Sequence, residues 1–102
     1  FVERWRATHP DRLALFEADF LATSLTGYHG CVAALKTLDF LRRLPEMTVP
    51  TLFVAGEKDM GAPPAVMRAM ADATPGARFA EIPDAAHLPN IDSQEAFDRV
   101  VG

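Results

Sequence analysis

Thr51-Leu52-Phe53-Val54-Ala55-Gly56-Glu57-Lys58-Asp59 is the stretch on which the fold turns. From Thr51 to Gly56 the chain is apolar at odd and even positions alike, the pattern of a parallel strand covered on both faces. Glu57-Lys58-Asp59 then reads as a turn, and Pro63-Pro64 stand where a helix can begin without losing a backbone hydrogen bond. Val66, Met67, Met70 and Ala71 supply the buried face of that helix, and Thr74-Pro75-Gly76 stops it. Arg78-Phe79-Ala80-Glu81-Ile82 is a second, more polar strand, read as lying nearer a sheet edge. After the loop Pro83 to Asn90, Asp92 and Glu95 match a capping box, and Ala96, Phe97, Val100 and Val101 give the last helix its apolar face. The order β-α-β-α implies a right-handed crossover and two parallel strands. An isolated parallel pair is not independently stable, so further strands are expected from an upstream segment of the polypeptide or from a partner.

Before Pro50 the rhythm is helical. Thr8 with Asp11 three residues on predicts a helix start, with Leu13, Phe16 and Phe20 on one face and Gly27 as the breaker. A second helix is predicted from Tyr28 to about Leu38, with Tyr28, Val32, Leu35 and Leu38 as its stripe, and a short turn from Phe40 to Leu44 ends at Pro45. Two units are therefore expected: a helical segment over residues 1–44 and a β-α-β-α unit over residues 45–102. Phe1–Arg6 opens inside an amphipathic pattern, and Gly102 closes a helix after barely two turns, so both ends read as cut.

Composition narrows the function classes. Fourteen acidic and ten basic residues give a net charge of -4, and the scattered Lys and Arg form no stripe for a phosphate backbone, which argues against a nucleic-acid partner. No apolar run approaches the roughly 20 residues a membrane helix needs, and no signal peptide opens the chain, so a cytoplasmic protein without a membrane partner is expected. The single cysteine, Cys31, cannot form an internal disulfide, and its apolar neighbours Val32, Ala33 and Ala34 predict a buried small side chain. His9 and His29 have no partner at metal-ligand spacing, and there is neither a metal motif nor a phosphate-binding glycine loop.

In open α/β sheets, ligands bind beyond the carboxyl ends of the strands. Two loops lie there: Glu57 to Ala62 after the first strand, and Asp84 to Pro89 after the second. Asp59 on one and His87 on the other can face each other, with an oxygen-to-nitrogen separation of about 2.6–3.2 Å. The pairing suits nucleophilic catalysis, in which histidine takes the nucleophile's proton and a buried carboxylate fixes its tautomer. Either residue alone is ordinary loop chemistry; the pair carries the reading. Glu57 ranks second as the acid, Asp84 stands only three residues from His87, and Asp92 is read as a helix cap. No serine occupies a G-x-S-x-G elbow: Ser24 lies beside the break between helices and Ser93 at the start of the last helix.

Val49-Pro50-Thr51-Leu52 with Gly56-Glu57-Lys58-Asp59 and Pro63-Pro64, then Pro75-Gly76-Ala77-Arg78, then Ile82-Pro83-Asp84-Ala85-Ala86-His87-Leu88 resembles the α/β-hydrolase superfamily. Gly27-Tyr28-His29-Gly30-Cys31-Val32-Ala33-Ala34-Leu35-Lys36 with Leu38-Asp39 is similar to the cap-to-core segment of 3-oxoadipate enol-lactonases, as is Ala86-His87-Leu88-Pro89-Asn90-Ile91. The resemblance implies the C-terminal part of an α/β-hydrolase fold. It further implies a cofactor-free hydrolase opening an enol-lactone in the β-ketoadipate branch of aromatic degradation. Asp59 and His87 become triad acid and base, and residues 1 to about 38 belong to a helical cap. The serine, on this likeness, is carried by an N-terminal part of the same fold, and Met60 and Leu88 line an apolar wall beside a small ester or lactone substrate. Esterases and haloperoxidase-like enzymes share the Asp and His loops. Two readings of another class stand beside these: a non-catalytic ligand-binding protein on the same fold, and an assembly module pairing its open sheet edge with a partner.

Overall fold

The computed structural model describes every residue from Phe1 to Gly102. The chain runs through α1 (Glu3–Thr8), α2 (Pro10–Ala22), α3 (Leu25–Thr37), a 3-10 turn (Leu41–Glu46), β1 (Leu52–Gly56), α4 (Pro64–Ala73), β2 (Arg78–Ile82), α5 (Pro89–Asp92) and α6 (Gln94–Val101). β1 and β2 pair in parallel, in register from Leu52 opposite Arg78 to Gly56 opposite Ile82. Both strands therefore end at the same edge, and both following loops leave from it. α4 makes the crossover, with Pro64 at its first position and Ala71 buried against the sheet. Gly76, at φ 68°, turns the chain back toward β2, a left-handed conformation that glycine adopts without a side-chain penalty.

The helical half departs from the sequence reading in three places. The first helix breaks in two: Thr8 closes α1, its hydroxyl donating to the Arg4 and Trp5 carbonyls instead of capping α2, which starts at Pro10. The second break falls at Thr23 and Ser24, with Gly27 inside α3, because the Ser24 hydroxyl accepts the Gly27 amide at 3.0 Å and caps the helix. Cys31 is exposed, since α2 and α3 bury no residue at all in these 102 residues. Leu15, Phe20, Leu21, Tyr28, Leu35 and Leu38 all face solvent, and Val66 of α4 does too. The radius of gyration is 15.8 Å, against about 13 Å for a well-packed chain of this length. Hydrophobic burial thus comes from the sheet, α4 and a small aromatic stack, in which Trp5 lies 4.3 Å from Phe1 and 4.9 Å from His9 between ring centroids. No helix is long and apolar enough to cross a membrane.

One glycine sets how closely the sheet edge can be approached. A Cβ on Gly56 would collide with the Ala86 carbonyl and lie 2.6 Å from the Ala85 carbonyl oxygen, all of it backbone that cannot rotate away. Gly56→Ala is expected to cost about 3 kcal/mol or more, the upper end of overpacking. Gly30→Ala, where nothing lies within 4 Å, is expected to gain roughly 0.5–1 kcal/mol of helix propensity. Urea unfolding of the two variants measures both; equal midpoints would show that the close approach at Gly56 is not a constraint.

Candidate active site

The two loops are stitched together through their backbones before any functional side chain is considered. The Glu57 amide donates to the Ile82 carbonyl at 3.0 Å and the Lys58 amide to the Ala85 carbonyl at 2.8 Å. Asp59 follows at once, 8% exposed, and its carboxylate is fully used. Oδ1 accepts the Gly61 and Ala62 amides at 2.8 and 3.1 Å, a local turn that aims Oδ2 at the His87 Nδ1, 2.8 Å away. Burial by itself raises the Asp59 carboxyl, but the hydrogen bond to His87 and the Ala62 and Gly61 amides outweigh it, so the group lies below its ordinary value. An ionised carboxylate only accepts, so the proton between the two sits on Nδ1, and in the neutral imidazole Nε2 is then the acceptor. The imidazole is 72% exposed, so Nε2 is open to a reacting group. This arrangement can accept a proton from a hydroxyl while the carboxylate stabilises the resulting imidazolium.

The competing acids have other partners. Glu57 Oε2 accepts the Asp84 amide at 2.8 Å. Asp84 itself, in the left-handed region at φ 50°, binds the Lys58 ammonium and, at 2.6 Å, the Arg4 guanidinium. The Lys58 hydrogen bond and then the Arg4 one hold its carboxyl below the ordinary range, while Asp84 in return raises the Lys58 ammonium. Asp92 is not the cap it was expected to be. Pro89 starts the single turn α5, which folds Asp92 back beneath the histidine loop at 2% exposure, and no side chain caps α6 at Ser93. Its carboxylate accepts the Ala86 amide at 2.8 Å and the Val2 amide at 3.2 Å.

Ser24 caps α3, and Ser93 donates to the Pro83 and Asp84 carbonyls at 3.2 and 3.1 Å, so neither serine is placed to attack a substrate. Met60 is 95% and Leu88 37% exposed, each flanking one member of the Asp59–His87 pair. His9 is held locally by the Trp5 carbonyl and Thr8 hydroxyl, and no cluster of three or more His, Cys, Asp or Glu groups is arranged to hold a metal. Arg4, Lys58, Asp92 and Ser93 were missed as the frame of the histidine loop. Only Asp92 had a local signal, an acid one short turn after Pro89.

Comparison with known proteins identifies the fold. The sequence profile of the alpha/beta hydrolase fold matches residues 5–94. A RutD protein of Klebsiella pneumoniae, named provisionally as a carbamate hydrolase, is 31% identical over 68 residues, which is 67% of this chain and 26% of that protein. The enol-lactonase of Burkholderia xenovorans LB400 superposes with a TM-score of 0.93 at 34% identity, over 99% of this chain and 38% of the other. Est816, an N-acyl homoserine lactone degrading enzyme, gives 0.76 at 29% identity, over 99% of this chain and 41% of the other. The chain thus spans between about a quarter and two fifths of these relatives' lengths. With most of its length matched by the family profile and its β-α-β-α unit bearing the paired loops, the chain belongs to the α/β-hydrolase fold family.

Proposed function

We propose that these residues form the C-terminal part of a serine-dependent hydrolase of carboxylic esters or lactones, with 3-oxoadipate enol-lactone as its substrate. The observation that carries the reading is the Asp59–His87 hydrogen bond of 2.8 Å with the far ring nitrogen open. The likeness to an enol-lactonase at a TM-score of 0.93 supports the lactone. His87 Nε2 takes the proton of a serine carried by an N-terminal part of the fold, and the alkoxide attacks the lactone carbonyl. Asp59 holds the tautomer and stabilises the imidazolium, which then protonates the leaving enolate oxygen. In the second half-reaction His87 activates water against the acyl-enzyme. Residues 1 to about 38 act as a helical cap over the site and the chain to residue 44 connects it to the core, a reading supported by the uncovered apolar faces of α2 and α3. Met60 and Leu88 line the substrate side of the pair. The mechanism needs no cofactor, and the protein works in the cytoplasm.

The substrate is tested by assaying the complete protein against an enol-lactone, a saturated lactone and a simple carbamate. The enol-lactone is expected to give the highest kcat/KM; a preference for the carbamate would move the reading toward the function that the RutD name carries.

In the complete protein, His87→Ala and Asp59→Asn are each expected to lower kcat by about 10⁴-fold, the latter through the wrong imidazole tautomer. Glu57→Gln should change it little. A crippling Glu57→Gln beside a harmless Asp59→Asn would reassign the acid. The 102 residues alone are expected to hydrolyse activated esters no faster than their His87→Ala variant, for want of a nucleophile.

The acid also sets a pH signature. Because the folded Asp59 carboxyl lies below its unfolded value, its stabilisation is fully present above the unfolded pKa of roughly 3.9 and is lost as pH falls through the folded one. The Tm gap between the protein and Asp59→Asn is therefore expected to narrow as pH falls from about 5 to below about 4, where the carboxyl takes up its proton. A gap that instead widened across that same acid range would mean that Asp59 folds protonated.

A further inference from the structure

Asp92 is the most deeply buried carboxylate in the chain, 2% exposed, and the proposed proton transfers do not use it. Burying a carboxylate costs free energy unless strong hydrogen bonds compensate. Here both partners are backbone amides from opposite ends of the sequence, Val2 at 3.2 Å on Oδ1 and Ala86 at 2.8 Å on Oδ2. Arg4 reaches the Asp92 carbonyl oxygen at 3.0 Å and not the carboxylate, so no cation neutralises the charge.

The Ala86 contact matters because of the peptide it belongs to. The Ala85–Ala86 peptide unit is held at both ends: its carbonyl accepts the Lys58 amide at 2.8 Å, and its N–H donates to Asp92. Lys58 directly precedes Asp59, and Ala86 directly precedes His87. One peptide plane, gripped from the acid's loop on one side and from Asp92 on the other, thus fixes where the imidazole leaves the backbone. The second Asp92 oxygen holds the entrance to α1. We infer that Asp92 is a positioning residue, whose carboxylate locks the peptide ahead of His87 and binds the start of the N-terminal helical segment to that same peptide. The inference rests on the reading of His87 as the base. An asparagine can accept from only one of the two amides, and it turns an N–H toward the other.

The test uses the complete protein with Asp92→Asn and Asp92→Ala, following kcat and KM and the downfield proton resonance of the His87 Nδ1–H bonded to Asp59. kcat is expected to fall about tenfold for Asn and about a hundredfold for Ala, the size of loss that a misplacement near 1 Å produces. KM should move less than kcat, and the downfield resonance should broaden or vanish. Arg4→Met, which removes the exposed Asp84 pair and one bond to the Asp92 carbonyl but spares both amide bonds of the carboxylate, should lose far less. Folded Asp92→Asn protein with the parent's kcat and His87 resonance would overturn the assignment, as would an equal loss in Arg4→Met. Should the Asp92 variants fail to fold, amide exchange in the unaltered protein decides. Val2 and Ala86 are expected to exchange at a common slow rate, and rapid exchange of Val2 beside a protected Ala86 would refute the shared clamp. That readout does not depend on catalysis, so it stays informative if His87→Ala turns out to retain activity and the base is lost as a reading.

Discussion

The close approach of two backbones at the carboxyl edge of the sheet is the constraint on which the rest of the structure depends. Where β1 ends, Gly56 leaves room for the Ala85 and Ala86 carbonyls to come within contact distance of its Cα. That room lets the Lys58 amide reach the Ala85 carbonyl, and this bond places Asp59 and His87 opposite each other. The parallel register of β1 and β2 aligns the strand ends. Contact across the gap is what turns aligned loops into a hydrogen-bonded pair.

Around that edge, environment separates carboxylates that are alike in chemistry. Asp59 is buried and held ionised by an imidazole and two amides, and it leaves that imidazole one free nitrogen. Asp84 is more exposed and ties the acid loop to α1 through Lys58 and Arg4. Asp92 is the deepest and meets only amides. Exposed ion pairs of the Asp84 kind contribute little stability, about 1 kcal/mol at most. Hydrogen bonds to a buried carboxylate are worth roughly 1.5–3 kcal/mol each. The weight of holding the site therefore falls on Asp59 and Asp92 rather than on the more conspicuous salt bridges.

The helical half has a different energetic character. α2 and α3 carry apolar faces with no buried residue, while α1 is anchored through Val2 and Arg4 to Asp84 and Asp92. As marginally stable helices owe most of their persistence to packing of such faces, the two halves contribute unequally: the β-α-β-α unit carries the Asp59–His87 pair, and the helical segment leaves its apolar faces uncovered.

The sequence by itself determined the strands, the crossover helix and the pairing of Asp59 with His87. These follow from local signals: continuous apolar runs, prolines at a helix start, a glycine stop, and the rule that two parallel strands send their following loops to one edge. The helix breaks were legible only in part. Ser24 displaced Gly27 as the break because a side-chain cap satisfies an amide that the helix cannot, whereas glycine in a helix merely weakens it. Burial of Cys31 and Val66 was misjudged because an apolar stripe shows which face seeks a partner but not whether one is present. The partners of Asp92 were decided mainly by tertiary structure. An acid before a helix reads as a cap at short range, but its carboxylate is taken by the amides of Val2 and Ala86, 90 and 6 residues away in sequence, and no side chain caps α6.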